Sequence, residues 1–324
     1  MTGKLTRRAV LGAVAGLAVN KARAETDWPS RTITIVHGFP PGGPSDVVAR
    51  LIADGLAKAL GQSVIVESRT GASGTTAATL VARAAPDGYT LMVIPSGHAT
   101  AAATFAKLPY HSIDDFTMIS LVSEYAYVMV VNAQSGIDSV AGLISTARSR
   151  TAPLLYGTPG TGSGPHLAVE LFALESKIKV LHVPYRGSAP ATMELVGGRL
   201  DFMMDPPASL IEFVRSGKLR ALAVSSASRY FALPDTPTVA ESGVPGFDVR
   251  AWQGLIAPAG LPAPIRDRLN TEVVRMLKEP AMIERLQAFG NAPAPSSPEQ
   301  FRQRLADDIA KWTALADEIH FERI

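Results

Sequence analysis

The segment TITIVHGFPPGGPSDVVARLIADGLAKALG, residues 32–61, contains the structural unit from which the chain is built. Residues 32–36 form a short apolar run rich in β-branched side chains, which is typical of a buried strand, and the Pro-Gly cluster at 40–43 ends it. From residue 46 to residue 60 the apolar side chains recur at helical spacing, and Gly61 ends the pattern. The segment therefore predicts a strand, a glycine-rich loop and a helix, in that order.

The same unit recurs along the chain. Further strands are predicted at 64–66, 89–94, 154–156, 178–183, 200–204 and 219–224, and further helices near 75–85, 138–149, 165–175, 189–196 and 207–216. The end of the chain is predicted to be helical, because Ser297-Pro298-Glu299-Gln300 has the form of a capping box with proline at the first helical position. Alternation of strands and helices predicts an α/β fold in which mostly parallel sheets are flanked by helices.

The length of the chain predicts two lobes, because about 300 residues exceed what one hydrophobic core usually serves. The strand-like stretch 120–131 and the Pro/Gly-rich segment 232–246 are where the chain is expected to cross between lobes. Lobe one is then built from 25–122 plus 250–324, and lobe two from 123–249. Two crossings form a hinge, which suits closure around a ligand.

The first 24 residues have the pattern of an export signal. A basic start precedes an apolar run at 9–19, and the segment ends in Ala22-Arg23-Ala24, a small-residue pattern that signal peptidase accepts. Arg7-Arg8 also resembles a twin-arginine signal, so both export routes stay open. A membrane anchor is the competing interpretation, but the run is shorter than the roughly 20 residues that span a bilayer. We expect cleavage after Ala24 and a periplasmic location.

Charge and composition exclude several classes of function. The whole chain has 31 Lys and Arg against 29 Asp and Glu, and five of the basic residues lie in the predicted leader, so the mature chain has a net charge of about −3. Nucleic-acid binding therefore loses the clustered positive charge on which it depends. The absence of cysteine excludes thiolate catalysis, disulfides and cysteine-based metal sites. Nothing in the sequence calls for a cofactor.

Three loops that leave a strand and open a helix are the most informative for binding. We call the segments 42–46, 96–98 and 158–164 the first, second and third loops. The N-terminus of a helix presents unpaired N–H groups and a positive partial charge, and glycine lets a ligand approach the backbone closely. For any one loop alone, a simple tight turn is the favoured interpretation. Three of them between facing lobes favour a small anionic ligand.

Catalytic motifs are incomplete or absent. The third loop begins like a phosphate-binding loop, but Ser163-Gly164 stands where Lys-Ser/Thr is required. There is no nucleophile elbow, and the six histidines show no metal-binding spacing. Arg186 has the chemistry to clamp a carboxylate, although a single arginine in a turn is more often a surface residue.

At these loops the sequence resembles the Bug-type solute-binding receptors, the extracytoplasmic receptors of tripartite tricarboxylate transporters. The match extends over essentially the whole mature chain, and its motifs are specific when taken together in this order. They lie at 28–31, 39–43, 46–50, 84–91, 166–172, 182–187, 217–224 and 233–241. The resemblance implies a two-lobed, type II periplasmic-binding-protein fold that closes over a small carboxylate, held by backbone N–H groups, small hydroxyls and waters.

The resemblance also implies which residues form the site. The first loop would contribute Phe39, Gly42, Gly43, Ser45 and Asp46, the second Ser96 and Gly97, and lobe two Thr158, Gly162, Ser163, His166 and, toward the distal part of the ligand, Asp205. For Asp46 and His166, a role in bracing their loops stays equally open. Three positions depart from the family pattern. Pro44 removes an N–H donor, His98 adds a titratable donor near the pocket, and Pro206 alters the distal region.

We therefore predict a monomeric receptor that captures a small organic carboxylate. It would deliver the ligand to the membrane components of a tripartite tricarboxylate transporter or to a sensor protein. The alternative is an exported hydrolase or isomerase that uses the same fold.

Overall fold

The computed structural model describes residues 28–324, so the predicted leader and its cleavage site lie outside the described residues. Six strands form the first sheet, in the order β11-β4-β10-β3-β1-β2. They are β1 Ile33–His37, β2 Val64–Ser68, β3 Thr90–Pro95, β4 Phe116–Ala126, β10 Arg250–Pro258 and β11 Ala292–Pro293. Five strands form the second sheet, in the order β7-β6-β8-β5-β9. They are β5 Val128–Asn132, β6 Leu154–Thr158, β7 Val180–Pro184, β8 Phe202–Asp205 and β9 Leu219–Val224.

Helices follow the strands as the alternating pattern requires. Those connecting strands of the first sheet are α1 Pro44–Leu60, α2 Thr75–Ala82 and α3 Gly97–Thr104. Those connecting strands of the second sheet are α4 Val140–Ser149, α5 Gly164–Ser176, α6 Ser188–Val196 and α7 Pro207–Arg215. The chain then returns to the first sheet and adds α8 Ala263–Met276, α9 Pro280–Ala288 and α10 Pro298–Glu318. The predicted capping box is present at Ser297 and Gln300. Across residues 28–324, none of the helices has the length and apolarity needed to cross a membrane.

The prediction of mostly parallel sheets is wrong in one respect, because both sheets are mixed. β1 pairs in parallel with β2 and β3, and β6 pairs in parallel with β7 and β8. However, β10 lies antiparallel to both β3 and β4, and β5 lies antiparallel to both β8 and β9. β5 and β10 each bring the chain into a sheet from the other sheet, so no crossover helix within that sheet sets their direction. The short β11 is also antiparallel to β4.

The stretch predicted to cross between lobes contains two strands, β4 and β5, separated at Tyr127. The return crossing runs from Ser225 to Val249, and the two crossings are hydrogen-bonded to each other. The Tyr127 N–H donates to Ser225 Oγ (2.8 Å), and the Ser225 N–H donates to the Tyr127 carbonyl (2.9 Å). The Val249 N–H donates to the Ser225 carbonyl (2.8 Å). The sheets are therefore joined through a compact pair of adjacent segments.

The C-terminal residues lie along the boundary between the two sheets. The Ile324 N–H donates to the Thr104 carbonyl at the end of α3, and the Ala106 N–H donates to the Ile324 carbonyl, both at 2.8 Å. Phe321 packs against His166 of α5, with ring centroids 5.5 Å apart. The tail thus contacts helices that follow strands of both sheets.

Candidate functional site

A cavity of about 310 Å³ lies where the strand-to-helix loops of the two sheets meet. Its volume is in the range of small-molecule sites. Of the described residues that line it, none carries a charged side chain or an imidazole. The lining consists of Phe39, Ser73, Pro95, Ser96, Gly97, Thr100, Ala101, Phe105, Tyr125, Tyr127, Pro159, Gly160, Thr161, Gly162, Ser163, Gly164, Pro165, Gly187 and Pro206.

The second loop brings the N-terminus of α3 to the cavity. The Ser96 N–H donates to the Trp252 carbonyl (2.8 Å), which ties the loop to β10. Gly97 is the first residue of α3, and its N–H donates to no atom of residues 28–324. A side chain at this glycine would meet only Pro95 Cγ, at 3.9 Å from its Cβ. The second loop therefore presents an unpaired N–H group at the positive end of a helix.

The third loop brings the N-terminus of α5 to the same cavity. Ser163 caps this helix, since its Oγ accepts from the His166 N–H (3.4 Å). Gly164 is the first helical residue, and no acceptor for its N–H is found in the described part of the chain. Gly162 has φ +74°, a left-handed conformation that glycine adopts without steric cost. The N-termini of α3 and α5 thus meet at one cavity that contains no cationic side chain among its described lining residues. The N-cap residues of α6 and α7, Gly187 and Pro206, also line it.

A stacked pair of histidines, the buried His166 and the half-buried His182, supports the third loop from behind. The Gly162 N–H donates to His166 Nδ1 (3.1 Å), and the His166 ring stacks on His182 at a centroid distance of 3.7 Å. His182 Nε2 is 2.6 Å from Thr158 Oγ1. Burial, and secondarily the charge of His182, lowers the pKa of His166 to about 3, and burial lowers that of His182 to about 4. Both rings are therefore neutral near pH 7, and His166 and Thr158 brace the loop without lining the cavity.

The first loop is arranged differently. Asp46 is buried and accepts hydrogen bonds from the Gly42 N–H (2.9 Å) and Arg50 Nε (3.0 Å), and its other oxygen is 3.1 Å from Nε2 of the buried His37. The hydrogen bond from Arg50, above all, lowers the pKa of Asp46. Within this loop the Gly42 and Gly43 N–H groups are thus used by the protein itself, the latter donating to the Pro40 carbonyl (3.4 Å). Of the five residues expected here, only Phe39 reaches the cavity; Gly42, Gly43, Ser45 and Asp46 do not.

Two tyrosines from the crossing between the sheets form part of the cavity wall. Tyr125 and Tyr127 contact each other edge to face, with centroids 5.9 Å apart. Burial raises the pKa of both phenols, so they stay protonated and remain hydrogen-bond donors. The Ser96 hydroxyl is close enough to the Tyr127 hydroxyl to offset part of that rise in pKa. Phe39 and Phe105 add apolar surface to the wall.

Asp205 lies directly behind the wall at Pro206. Its side chain is fully buried, and Oδ2 accepts from Ser209 Oγ (2.6 Å). Oδ1 has no hydrogen-bond partner among residues 28–324. Burial raises the pKa of Asp205 to about 6, although the Ser188 and Ser209 hydroxyls favour its charged form. Its neighbour Pro206 lines the cavity, and the Asp205 charge raises the pKa of Tyr125 and Tyr127.

The remaining two candidates do not reach the cavity. His98 points into the core, where Nε2 is 2.9 Å from the Ser112 carbonyl and the ring stacks on Tyr110 at 5.5 Å. Burial lowers the pKa of His98 to about 4, so the expected titratable donor near the pocket is absent from the described lining. Arg186 is exposed, and it is its neighbour Gly187 that lines the cavity.

The structure therefore brings together five of the predicted residues: Phe39, Ser96, Gly97, Gly162 and Ser163. The residues that sequence reasoning missed include Phe105, Tyr125, Tyr127 and Gly164. Gly164 had a usable signal, because it directly precedes the predicted helix. The two tyrosines had none, since only the pairing of distant strands places them there. Within 28–324 no three acidic or histidine side chains are grouped as a metal site.

Two α/β sheets with a cavity between their strand-to-helix loops define a two-lobed binding-protein fold. The chain belongs to the tripartite tricarboxylate transporter family receptors, whose family model matches residues 48–321. This match confirms the family resemblance and the fold that it implied. Members of this family are periplasmic binding receptors and not enzymes.

Similar proteins match over nearly the whole chain. Protein BugT of Bordetella pertussis is 35% identical over 320 residues, which cover 98% of this chain and 98% of BugT. A Pseudomonas sp. (strain P51) protein from the tcbD-tcbE intergenic region is 36% identical over 312 residues, 95% of this chain and 93% of that protein.

Solved structures match equally well. R. palustris Rpa4515 with adipate has a TM-score of 0.83 at 35% identity and covers 92% of this chain and 100% of its own. MatC from Rhodopseudomonas palustris with bound malate has a TM-score of 0.77 at 38% identity, and the match covers 89% of this chain and 99% of MatC.

Proposed function

We propose that this protein is a periplasmic receptor that binds the carboxylate of a small organic acid between its two lobes. The observation that carries the proposal is the convergence of the α3 and α5 N-termini, at Gly97 and Gly164, on one cavity. Two unpaired N–H groups at positive helix ends stabilise an anion without a lysine or an arginine. The Ser96, Tyr125 and Tyr127 hydroxyls add neutral donors beside them.

The relatives support the same chemistry, since adipate and malate are the molecules bound in two of the matched structures. We further propose that export removes the leader after Ala24, and that the lobes comprise about 25–122 plus 250–324 and 123–249. The first sheet continues to Ala126, so the hinge is better placed at Tyr127 and Ser225, where the crossings are hydrogen-bonded. The partners would be the membrane components of a tripartite tricarboxylate transporter or a sensor protein, with the receptor a monomer.

Titration calorimetry with a panel of organic carboxylates tests the proposal. Gly97→Leu should fill the cavity without a clash, because a Cβ at this position would have no neighbour closer than 3.9 Å. We expect it to weaken binding at least a hundredfold while the melting temperature of the ligand-free protein stays within a few degrees. Ala141→Leu is the matched control, since it places a leucine on the exposed first turn of α4.

Two results would contradict the proposal. One is wild-type protein that responds to no organic anion but does respond to sugars or cations. The other is Gly97→Leu protein that binds carboxylates as well as Ala141→Leu protein does. The hydrolase or isomerase alternative is tested in the same samples, because an enzyme would convert the ligand, whereas a receptor returns it chemically unchanged after long incubation.

A further inference from the structure

Tyr127 connects the crossing between the two sheets with the second and third loops. We propose that the Tyr127 hydroxyl is a spacer that sets the distance between these loops, and with it the distance between the N-termini of α3 and α5. Tyr127 is then a positioning residue for carboxylate binding. The inference rests on the proposed function, because this spacing affects affinity only if an anion binds between the two helix ends.

The backbone of Tyr127 is anchored at the hinge. The residue lies between the last residue of β4 and the first residue of β5, and its N–H donates to Ser225 Oγ (2.8 Å) while its carbonyl accepts from the Ser225 N–H (2.9 Å). The Ser225 hydroxyl in turn donates to the Val249 carbonyl (2.5 Å). Both crossings therefore hold the Cα of Tyr127 in place.

The side chain of Tyr127 has little freedom to move. Only 3% of the residue is exposed, and its ring packs edge to face against Tyr125 with centroids 5.9 Å apart. A tyrosine ring is rigid, so a ring that is packed on its faces and edges also fixes the position of its hydroxyl oxygen. The phenol is thus a rigid arm that reaches from the hinge to the cavity wall.

The hydroxyl of Tyr127 lies against the first residue of α5. A Cβ built on Gly164 would overlap the Tyr127 hydroxyl oxygen, whereas the next nearest atom, Tyr127 Cζ, would be at an ordinary contact distance of 3.4 Å. Gly164 is helical and is not one of the glycines with a left-handed backbone. The close approach of the hydroxyl, and not the backbone conformation, therefore requires glycine at this position.

The same hydroxyl lies close to the second loop. The Ser96 hydroxyl is near enough to offset part of the rise that burial causes in the pKa of Tyr127. Ser96 is itself tied to β10, since its N–H donates to the Trp252 carbonyl (2.8 Å). The phenol oxygen is thus close to Ser96 on one loop and to Gly164 on the other. Because N–H to oxygen hydrogen bonds are only about 2.7–3.2 Å long, a small change in this spacing would weaken an anion bound by both helix ends.

A rescue experiment tests the spacer. Gly164→Ala places a methyl group where the hydroxyl lies and should push the third loop away from the second, whereas Gly164→Ala/Tyr127→Phe removes the hydroxyl and leaves room for the methyl group. Titration calorimetry uses hexanoate, adipate, benzoate and terephthalate as probes. We expect Gly164→Ala to weaken binding about thirtyfold. The double variant should bind within about threefold of Tyr127→Phe alone, because the overlap is gone.

Gly164→Ala/Tyr125→Phe is the matched control. It removes the hydroxyl of the neighbouring tyrosine, which is not among the three atoms nearest to a Cβ on Gly164, so it should bind as weakly as Gly164→Ala. Failure of Tyr127→Phe to restore binding to folded Gly164→Ala protein would overturn the spacer and leave the carboxylate receptor standing, and so would equal rescue by Tyr125→Phe. A hydroxyl that served only as a donor to the ligand would give the first of these results.

A second cycle does not depend on the folding of Gly164→Ala. Ser96→Ala and Tyr127→Phe each remove one of the two neighbouring hydroxyls. We expect Tyr127→Phe to weaken binding about fivefold in the wild-type background but less than about twofold in the Ser96→Ala background. Tyr125→Phe should have the same effect in both backgrounds. Additive effects of Ser96→Ala and Tyr127→Phe would overturn the spacer. Wild-type protein that binds none of the four acids would overturn the proposed function, and the spacer with it.

Discussion

The first and third loops are both glycine-rich and both open a helix, but their hydrogen-bond donors point to different partners. In the first loop the Gly42 N–H donates to Asp46, and Asp46 is also bound to Arg50 and His37. In the third loop the Gly162 N–H donates to His166, while the Gly164 N–H has no acceptor within residues 28–324 and lies at the cavity. A glycine-rich loop at the start of a helix is therefore placed to bind a ligand only where its residues line the cavity, as those of the third loop do and residues 42–46 do not. The first loop stabilises the fold through Asp46, and the third loop presents a free N–H group to the cavity.

The largest effect is expected in the first loop, and on stability only. Asp46→Ala removes the acceptor for the Gly42 N–H and leaves the buried His37 without its partner. We expect the free energy of unfolding to fall by about 2–4 kcal/mol. Ligand affinity, measured below the unfolding transition, should change less than threefold. Urea denaturation and calorimetry give the two values. A loss of affinity larger than the loss of stability would show that the first loop contacts the ligand.

A pair of glycine substitutions compares the two loops directly. Gly42 and Gly162 both have left-handed backbones, with φ +81° and +74°, so alanine costs each about 1–2 kcal/mol of stability. Only at Gly162 would the new Cβ meet close neighbours, Thr104 Oγ1 at 2.8 Å and Ile324 Cδ1 at 3.2 Å, while at Gly42 no atom lies within 4 Å. We expect Gly162→Ala to weaken binding about tenfold, roughly 1.4 kcal/mol, and Gly42→Ala to leave it within twofold. If Gly42→Ala and Gly162→Ala weakened binding equally, the third loop would not differ from the first in its contact with the ligand.

The smallest effect concerns pH and the support behind the third loop. Burial holds the pKa of His182 at about 4, below the 6.5 of an unperturbed imidazole. Between pH 6.5 and pH 4 the His182 imidazole therefore binds a proton in the unfolded chain but not in the folded protein. The contribution of the neutral, folded-state His182 to stability is complete above pH 6.5 and is lost as the pH falls toward 4. Between pH 7 and pH 5, His182→Asn should lose about 0.5–1 kcal/mol less stability than wild type, after allowance for partial exposure.

The control for this measurement is Ala141→Leu, which changes an exposed residue of α4 and adds or removes no titratable group. Its unfolding free energy should depend on pH as that of the wild type does. If His182→Asn protein loses as much stability between pH 7 and pH 5 as wild type does, the protonation of His182 does not destabilise the folded protein.

Much of the fold follows from local patterns, because each strand-loop-helix unit is specified by contiguous residues. The second and third loops were predictable for this reason, and both reach the cavity. The positions of residues next to these loops in sequence or in space could not be predicted in this way. His98 follows Gly97 by one residue, but successive residues of a helix point about 100° apart, which turns His98 into the core. Tyr125 and Tyr127 line the cavity only because β4 and β5 belong to different sheets, which is a property of long-range pairing. The function of Asp46 as a brace depends on His37, nine residues away on a strand.

The central claim is that the ligand carboxylate is held between the N-termini of α3 and α5. A crystal structure of the protein with hexanoate tests it most directly. We predict a carboxylate oxygen within hydrogen-bond distance of the Gly97 and Gly164 N–H groups, with the hydrocarbon chain against Tyr125 and Tyr127. A carboxylate bound to the first loop at Gly42 and Gly43, or to the exposed Arg186, would contradict it.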